Sequence, residues 1–367
     1  MHPKSAMPAS ALSAPAEEEA DPRHRRGRRH RLGCIVLICL CAVLAGARSL
    51  TAVGPWATNA PQHTLARLGA RTTCPELGVR TAPSTATIRR VLTSLDPTAL
   101  TRMTTTADLA VLISDGKSVR GSRTRDHQSV HPLAAMTPTG NVASQVRVAN
   151  KTSEIGALQD VLDGLDIEGS VVSADALHTQ TDTAQHLVSE RKAHYVLTVK
   201  RNQPTLFNQV KVLPWAKAPT LFTETSRGHG RQERRTVKVL TAPRITFPHA
   251  AQVLRVHRWV KELATGRVRR TYAYVITSLP AERANVARLA GLVRDHWRIE
   301  ALHHVRDVSF GEDASRVRTG HGPQNMAMLR NLVIPLLAEL GHTSIPEAVR
   351  WMSYEAFNRP LDLLGLA

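Results

Sequence analysis

Aromatic residues are scarce, at 4% of 367 residues, which argues against a single-strand binder that stacks successive bases on Phe, Tyr and Trp. Cysteine is scarcer still. Cys34, Cys39, Cys41 and Cys74 have no partner set at zinc-ligand spacing, and three of them fall in one apolar run, the pattern of reduced packing residues in a cytosolic protein. No apolar run reaches the roughly 20 residues that span a bilayer, and no heptad is legible. Acid is in deficit. Against 30 Asp and Glu stand 48 Lys and Arg, a formal charge of +18 spread along the chain, so the natural partner is a polyanion, nucleic acid before membrane. The length allows a large core and two or three domains.

Residues 1–22 are rich in Ala, Pro and Glu and read as a disordered tail. The basic run Arg23 to Arg31 follows, then the apolar stretch Leu32 to Ala47. Basic residues, a short apolar core and an Ala45-Gly-Ala47 ending imitate a secretory signal, but the leader is long for one, since both regions should fit in about 15–30 residues. A buried helix fits as well, with Ser49 to Ala60, Leu65 to Leu68 and Ser84 to Leu95 as neighbours in a small helical domain over 23–100. The last of these carries Ile88, Val91, Leu92 and Leu95 on one face behind a Ser or Thr cap.

After a linker at Asp96 to Thr106 the pattern changes. Leu109 to Asp115 is an apolar strand that ends in an acid, followed by the turn pair Gly116-Lys117. Strands at Val130 to Met136 and Val142 to Ala149 are joined by the hairpin Pro138 to Asn141. A helix over Glu154 to Leu165 leads to Gly169 to Asp175, a second short strand delivering an acid. A helix over Thr181 to Arg191 and a strand over Tyr195 to Lys200 follow.

Three strands, helix, strand, helix, strand is the element order of an RNase H-like α/β fold. In that fold the first and fourth strands are neighbours, which would bring Asp115 and Asp175 to one edge. A later helix around Glu300, in the stretch that runs to Arg316, carries Val293, His296 and Trp297 on the same face above it and His303, His304 and Asp307 below. Three clustered carboxylates repel one another unless divalent metal offsets their charge. Two Mg²⁺ ions, about 3.5–4 Å apart, would activate a water or a 3′ hydroxyl for in-line displacement at a phosphate.

Between Gln203 and Ala284 the segments Leu221 to Thr225, Arg235 to Leu240, Val253 to Val260 and Arg270 to Ile276 alternate, with turns at Gly228-His-Gly230 and Thr265-Gly266. They form a β-rich insertion over 204–284 before the third acid. Its cations Arg227, Arg231, Arg234, Arg235, Arg269 and Arg270 either contact phosphates or make an ordinary solvated strand face. His303-His304 lacks zinc-ligand spacing. Glu312, Asp313 and Arg316 read as a local ion-pair or capping network that positions the Glu300 helix.

Four ordered segments carry a resemblance: Ser114 to Ser122, Ser173 to Gln180, Tyr195 to Pro204, and His296 through Arg316. Together they resemble the H-repeat-associated DDE transposases of bacterial insertion sequences. The basic run and apolar helix resemble that family's associated N-terminal domain, which implies that the helix stays inside a cytoplasmic protein. The resemblance implies a catalytic domain over 105–345 and a C-terminal helical tail over 346–367. It implies Asp115, Asp175 and Glu300 as the catalytic, metal-binding triad, and Mg²⁺ or Mn²⁺, two ions, as cofactor. Lys117, Arg120, Lys200, Arg201, Asn202, His296 and Arg298 are then set against DNA, with His178, His303 and His304 as auxiliaries.

The expected activity is cleavage of element ends and joining of their 3′ hydroxyls to target DNA. Double-stranded DNA, as ends and target, and a second copy of the chain are the expected partners, with no membrane. The alternative is an inactive relic that only binds DNA. One departure stands out. The broader group carries a Tyr, Arg, Glu, Lys signature where this chain has Val293, His296, Glu300 and Asp307, so only the glutamate matches. His296, Arg298, His303 or His304 stand nearby to take over the DNA contacts.

Overall fold

The computed structural model describes residues 21–104, 108–123, 128–148, 154–228, 230–242 and 244–366. The tail expected over 1–22 therefore lies outside the described residues except for its last two. In chain order, the first elements are α1 (Leu32–Leu44), α2 (Leu50–Asn59), α3 (Gln62–Arg67), β1 (Arg71–Cys74), β2 (Val79–Thr81), α4 (Thr85–Ser94), α5 (Pro97–Thr104) and β3 (Val111–Gly116). Then come β4 (His131–Met136), β5 (Val142–Val148), α6 (Glu154–Leu162), β6 (Val171–Ala174), α7 (Thr181–Gln185), β7 (His194–Val199) and α8 (Pro204–Lys211). The remainder is β8 (Phe222–Gly228), β9 (Arg231–Thr241), β10 (Gln252–Glu262), β11 (Val268–Thr277), α9 (Val286–Val308), α10 (Gly322–Glu339), α11 (Ile345–Tyr354) and α12 (Arg359–Leu363).

The chain divides into two compact units. One draws on Met1–Ala107, Gly116–Lys151 and Glu300–Ala367, the other on Asp108–Asp115 and Thr152–Ile299.

In the first unit α1 is apolar on every side, and all but one of its residues are buried. Such a helix needs neighbours all round, and α2, α10, α11 and α12 supply them. Burial pushes the Cys39 and Cys41 thiols up, so they pack as neutral groups. No described helix is long and apolar enough to cross a membrane. The Ser84 cap is present, its Oγ accepting from Thr87 N at 3.2 Å, and Ile88, Val91, Leu92 and Leu95 face inward. Where a linker is expected after Asp96, α5 forms instead. Pro97 suits a first helical turn, Asp96 Oδ1 accepts from Thr98 N at 2.7 Å, and Leu100 and Met103 are buried. Helix α10 packs on α1, α4, α5 and α11. The β4–β5 hairpin also belongs here, its turn closed by Thr137 N to Asn141 O with Gly140 at φ +94°.

In the second unit the strands run in the order β3, β6, β7, β11, β10, β9, β8. The first three are parallel to one another and the rest antiparallel. The β-rich insertion is therefore not a separate layer. Tyr274 to Thr277 of β11 pair with Val196 to Val199 of β7 and extend the same sheet, covering an edge that would otherwise stay open. The apolar core beneath it gathers Val237, Leu254, Val256 and Val275 with Leu289, Leu292 and Val293 of α9.

Candidate functional site

Parallel pairing fixes the first relation. Val111 to Ser114 of β3 pair in step with Val171 to Ala174 of β6. Asp115 and Asp175 each follow the last of these pairs, so two acids leave neighbouring strand ends side by side. Both are half-buried. Asp175 also starts the turn after β6, its Oδ1 accepting from Leu177 N at 2.8 Å. That bond sets the carboxylate at the strand end.

His178 lies inside this corner, 1% exposed, with Nε2 3.9 Å from Glu154 Oε2. Burial pushes its imidazole below the ordinary range, while Asp175, Glu154 and Asp115 pull it up and His296 pulls it down. Sequence reasoning missed Glu154, a buried acid at the start of α6. The available signal was an acid opening a helix, which is common on any exposed first turn.

The loop after β7 joins the same corner. Asn202 Nδ2 donates to Ala176 O at 2.6 Å, Thr179 Oγ1 donates to Thr198 O at 2.7 Å, and Gln203 bonds Gln180 at 2.8 Å. Lys200 and Arg201 are exposed on that tethered loop. His296, expected against DNA, is instead an interior residue. It is buried, with Nδ1 3.2 Å from Ser173 Oγ, because α9 lays that face on the sheet.

In the other unit, Glu300 and His304 are exposed on α9 and His303 is half-buried. Lys117 Nζ lies 2.9 and 2.8 Å from the two carboxylate oxygens of Asp307. The acid standing where the broader group has lysine thus neutralises Lys117, one of the expected DNA contacts. Arg120 is exposed, 3.8 Å from Asp313, and in the second unit Arg298 is exposed, 3.4 Å from Asp295. Glu312 is fully buried between Arg306 at 2.5 Å and Arg330 at 2.8 Å. The network expected around Glu312 therefore closes on those two arginines, while Arg316 stays exposed. Among the described residues no three His, Cys, Asp or Glu are gathered in metal-site geometry.

Strand parity sorts the charges of β8–β11 onto two faces. One face carries Glu224, Glu233 and Glu262 among its cations. There Glu233 meets Arg231, Arg235 and Arg258 at 3.8, 2.9 and 2.7 Å, Glu262 meets Arg269 at 2.8 Å, and Glu224 pairs with Arg294 of α9. The other face carries Arg227, Arg234, Lys238, Arg255, Lys261 and Arg270, with no acid at any alternate position. None of these six makes an ion pair with a described acid. His257 stacks on Tyr272 at 4.7 Å, and Arg255 lies over Trp215 and Tyr272 at 5.2 and 5.4 Å. Of the six insertion arginines singled out in the sequence, Arg227, Arg234 and Arg270 lie on the unpaired face. Arg231, Arg235 and Arg269 lie on the paired one.

The family described as Transposase DDE domain matches residues 95–336, and the one described as DDE_Tnp_1-associated matches residues 17–106. This chain is a member of the DDE transposase family. Among its relatives is "Putative transposase YncI" of Escherichia coli O157:H7, 27% identical over an alignment of 347 positions that covers 87% of this chain and 85% of that one. The "H repeat-associated putative transposase YhhI" of Escherichia coli strain K12 is 26% identical over an alignment of 335 positions that covers 84% of this transposase and 85% of the relative. Among solved structures, "Cryo-EM structure of piggyBac transposase synaptic complex with hairpin DNA (SNHP)" aligns with 98% of this chain and 79% of its own. The TM-score of that alignment is 0.42 and the identity 10%.

Proposed function

We propose that this transposase cuts DNA at the ends of its element and joins the freed 3′ hydroxyls to target DNA through an RNase H-like core. Asp115, Asp175 and Glu300 are its metal-binding acids. The observation that carries the reading is the in-step pairing of β3 and β6, which sets Asp115 and Asp175 at adjoining strand ends. Paired half-buried carboxylates are hard oxygen donors and suit Mg²⁺ or Mn²⁺. When bound, such ions supply an activated water or hydroxyl and neutralise charge at the phosphoryl group.

The protein's own part is positioning. Asp175 is aimed by the Leu177 amide, and Asn202 tethers the Lys200–Arg201 loop to the turn after Asp175, so two cations stand ready for phosphates. His178, held neutral by burial, keeps the corner from gaining a competing positive charge. Glu300 is assigned through the motif that contains it. Its support is exposure and a place one helical turn beyond His296. The unpaired cationic face of β8–β11 is the surface proposed for duplex phosphates.

The test is strand cleavage of a plasmid carrying the element's own ends, in Mg²⁺ or Mn²⁺, for wild type beside Asp115→Ala, Asp175→Ala and Glu300→Ala. Nicking at the ends by wild type alone, with end binding kept in all three variants, supports the triad. Cutting by Glu300→Ala would remove that residue from it. Binding without cutting under any metal condition would favour a relic that only holds DNA.

A further inference from the structure

The basic motif around Arg316 has no part in the chemistry above, yet it lines a cavity of about 500 Å³ within the first unit. Arg48, Arg89, Arg316 and Arg318 line it, separated by hydroxyls that include Ser49 and Thr51, and no Asp or Glu does. All four arginines are exposed. Arg318 Nε donates to Gly121 O at 3.1 Å, whereas the guanidinium groups of Arg48, Arg89 and Arg316 have no acid partner among the described residues. Four like charges around one hollow repel one another, and an anion entering it relieves that cost.

The rims are held by buried groups. Arg330, 1% exposed, donates from Nη1 to Glu312 Oε2 at 2.8 Å and from Nη2 to Arg48 O at 3.0 Å. One guanidinium therefore ties the backbone at Arg48 to the turn that leads into Arg316. Gly121 lets that turn come close, since a Cβ there would sit 2.1 Å from Ser315 O. The arginines are thus mounted on a fixed frame.

We propose that this cavity is a phosphate-ester clamp for the DNA backbone, joining the residues after α1 and on α4 to the segment after Glu312. It rests on the DNA-binding side of the proposed function and not on cleavage. The lining contains no aromatic side chain, so nothing there stacks on a base. Guanidinium and hydroxyl donors instead match phosphate oxygens.

The experiment titrates a labelled end duplex by fluorescence anisotropy in chelator across a salt series. Wild type is compared with Arg48→Ala/Arg316→Ala, with the charge-keeping Arg48→Lys/Arg316→Lys, and with Arg102→Ala/Arg350→Ala, which loses the same charge elsewhere in the unit. The alanine pair at the cavity should weaken binding by about tenfold or more at 0.15 M salt and flatten the log–log salt slope by about two. The lysine pair should restore most of the slope, and the remote pair should change it little. Equal effects of both alanine pairs, or no effect of the cavity pair, would overturn the clamp even if the plasmid is cut. Loss at the cavity pair with no cleavage by wild type would keep the clamp and sink the catalytic reading. Orthophosphate and ADP, titrated alone by calorimetry, form the second arm. Their binding to wild type, lost in the cavity pair while duplex affinity is unchanged, would assign the site to a free phosphate ester and overturn the DNA source.

Discussion

Glu312 and Arg330 form a buried ion pair, Oε2 to Nη1 at 2.8 Å, with side chains 0% and 1% exposed. Arg306, 3% exposed, bonds the same carboxylate. Burial alone would raise the Glu312 carboxyl, but the two guanidinium groups win and hold it at about 2. Glu312→Ala leaves two buried cations facing each other without an anion. Removing one partner of a buried pair costs about 3–5 kcal/mol. Urea unfolding should show a loss in that range, and a loss under about 1 kcal/mol would mean that water or relaxation compensates.

Acid should act in two stages. His178 has a lowered imidazole pKa, so the unfolded chain binds that proton more tightly than the folded one. Its contribution is intact above the ordinary 6.5 and is lost as pH falls below it. Glu312 is lowered from 4.5 to about 2, so its contribution is intact above 4.5 and is lost as pH falls from there toward 2. Unfolding free energy measured against pH should bend first below 6.5. In His178→Asn that first bend should shrink while the one below 4.5 remains.

The two faces of β8–β11 should answer differently to charge removal. Arg234→Ala and Arg270→Ala should each flatten the salt slope of duplex binding by about one, the value for one phosphate contact. Arg231→Ala and Arg269→Ala, whose cations already meet Glu233 and Glu262, should leave it nearly unchanged. Equal slopes across all four would remove this face as the DNA surface.

Gly121→Ala adds a methyl group 2.1 Å from Ser315 O and 2.9 Å from Asp313 O. Both obstacles are backbone, so the turn must shift. Overpacking of this kind costs about 1–3 kcal/mol. Thermal unfolding reads the loss, and duplex binding should weaken with it because the Arg316 rim moves.

Local pattern made much of this legible. The apolar face Ile88, Val91, Leu92 and Leu95, the all-apolar α1, and the acids closing β3 and β6 are written in neighbouring residues. Short elements were not. Helix α5 has only Leu100 and Met103 as a stripe among threonines, and the β1–β2 hairpin has almost no buried side chains. Long-range pairings leave no local trace at all. Lys117 and Asp307 meet across 190 positions, and Arg330 reaches Arg48 across 282. The burial of His296 was not legible for a related reason: a polar side chain on a helix does not say which neighbour will cover it.

The segregation of charge on β8–β11 has a consequence for how this stretch tolerates change. Its two faces are spelled by alternate letters, and the spelling depends on counting by two. A substitution at Arg234 or Arg270 alters one side and leaves the core side untouched. A one-residue deletion within β9 shifts every later letter to the opposite side, sending Arg235 outward and Thr236 inward. In strand β9 replacements on the cationic face are therefore cheap, and insertions or deletions of odd length are not.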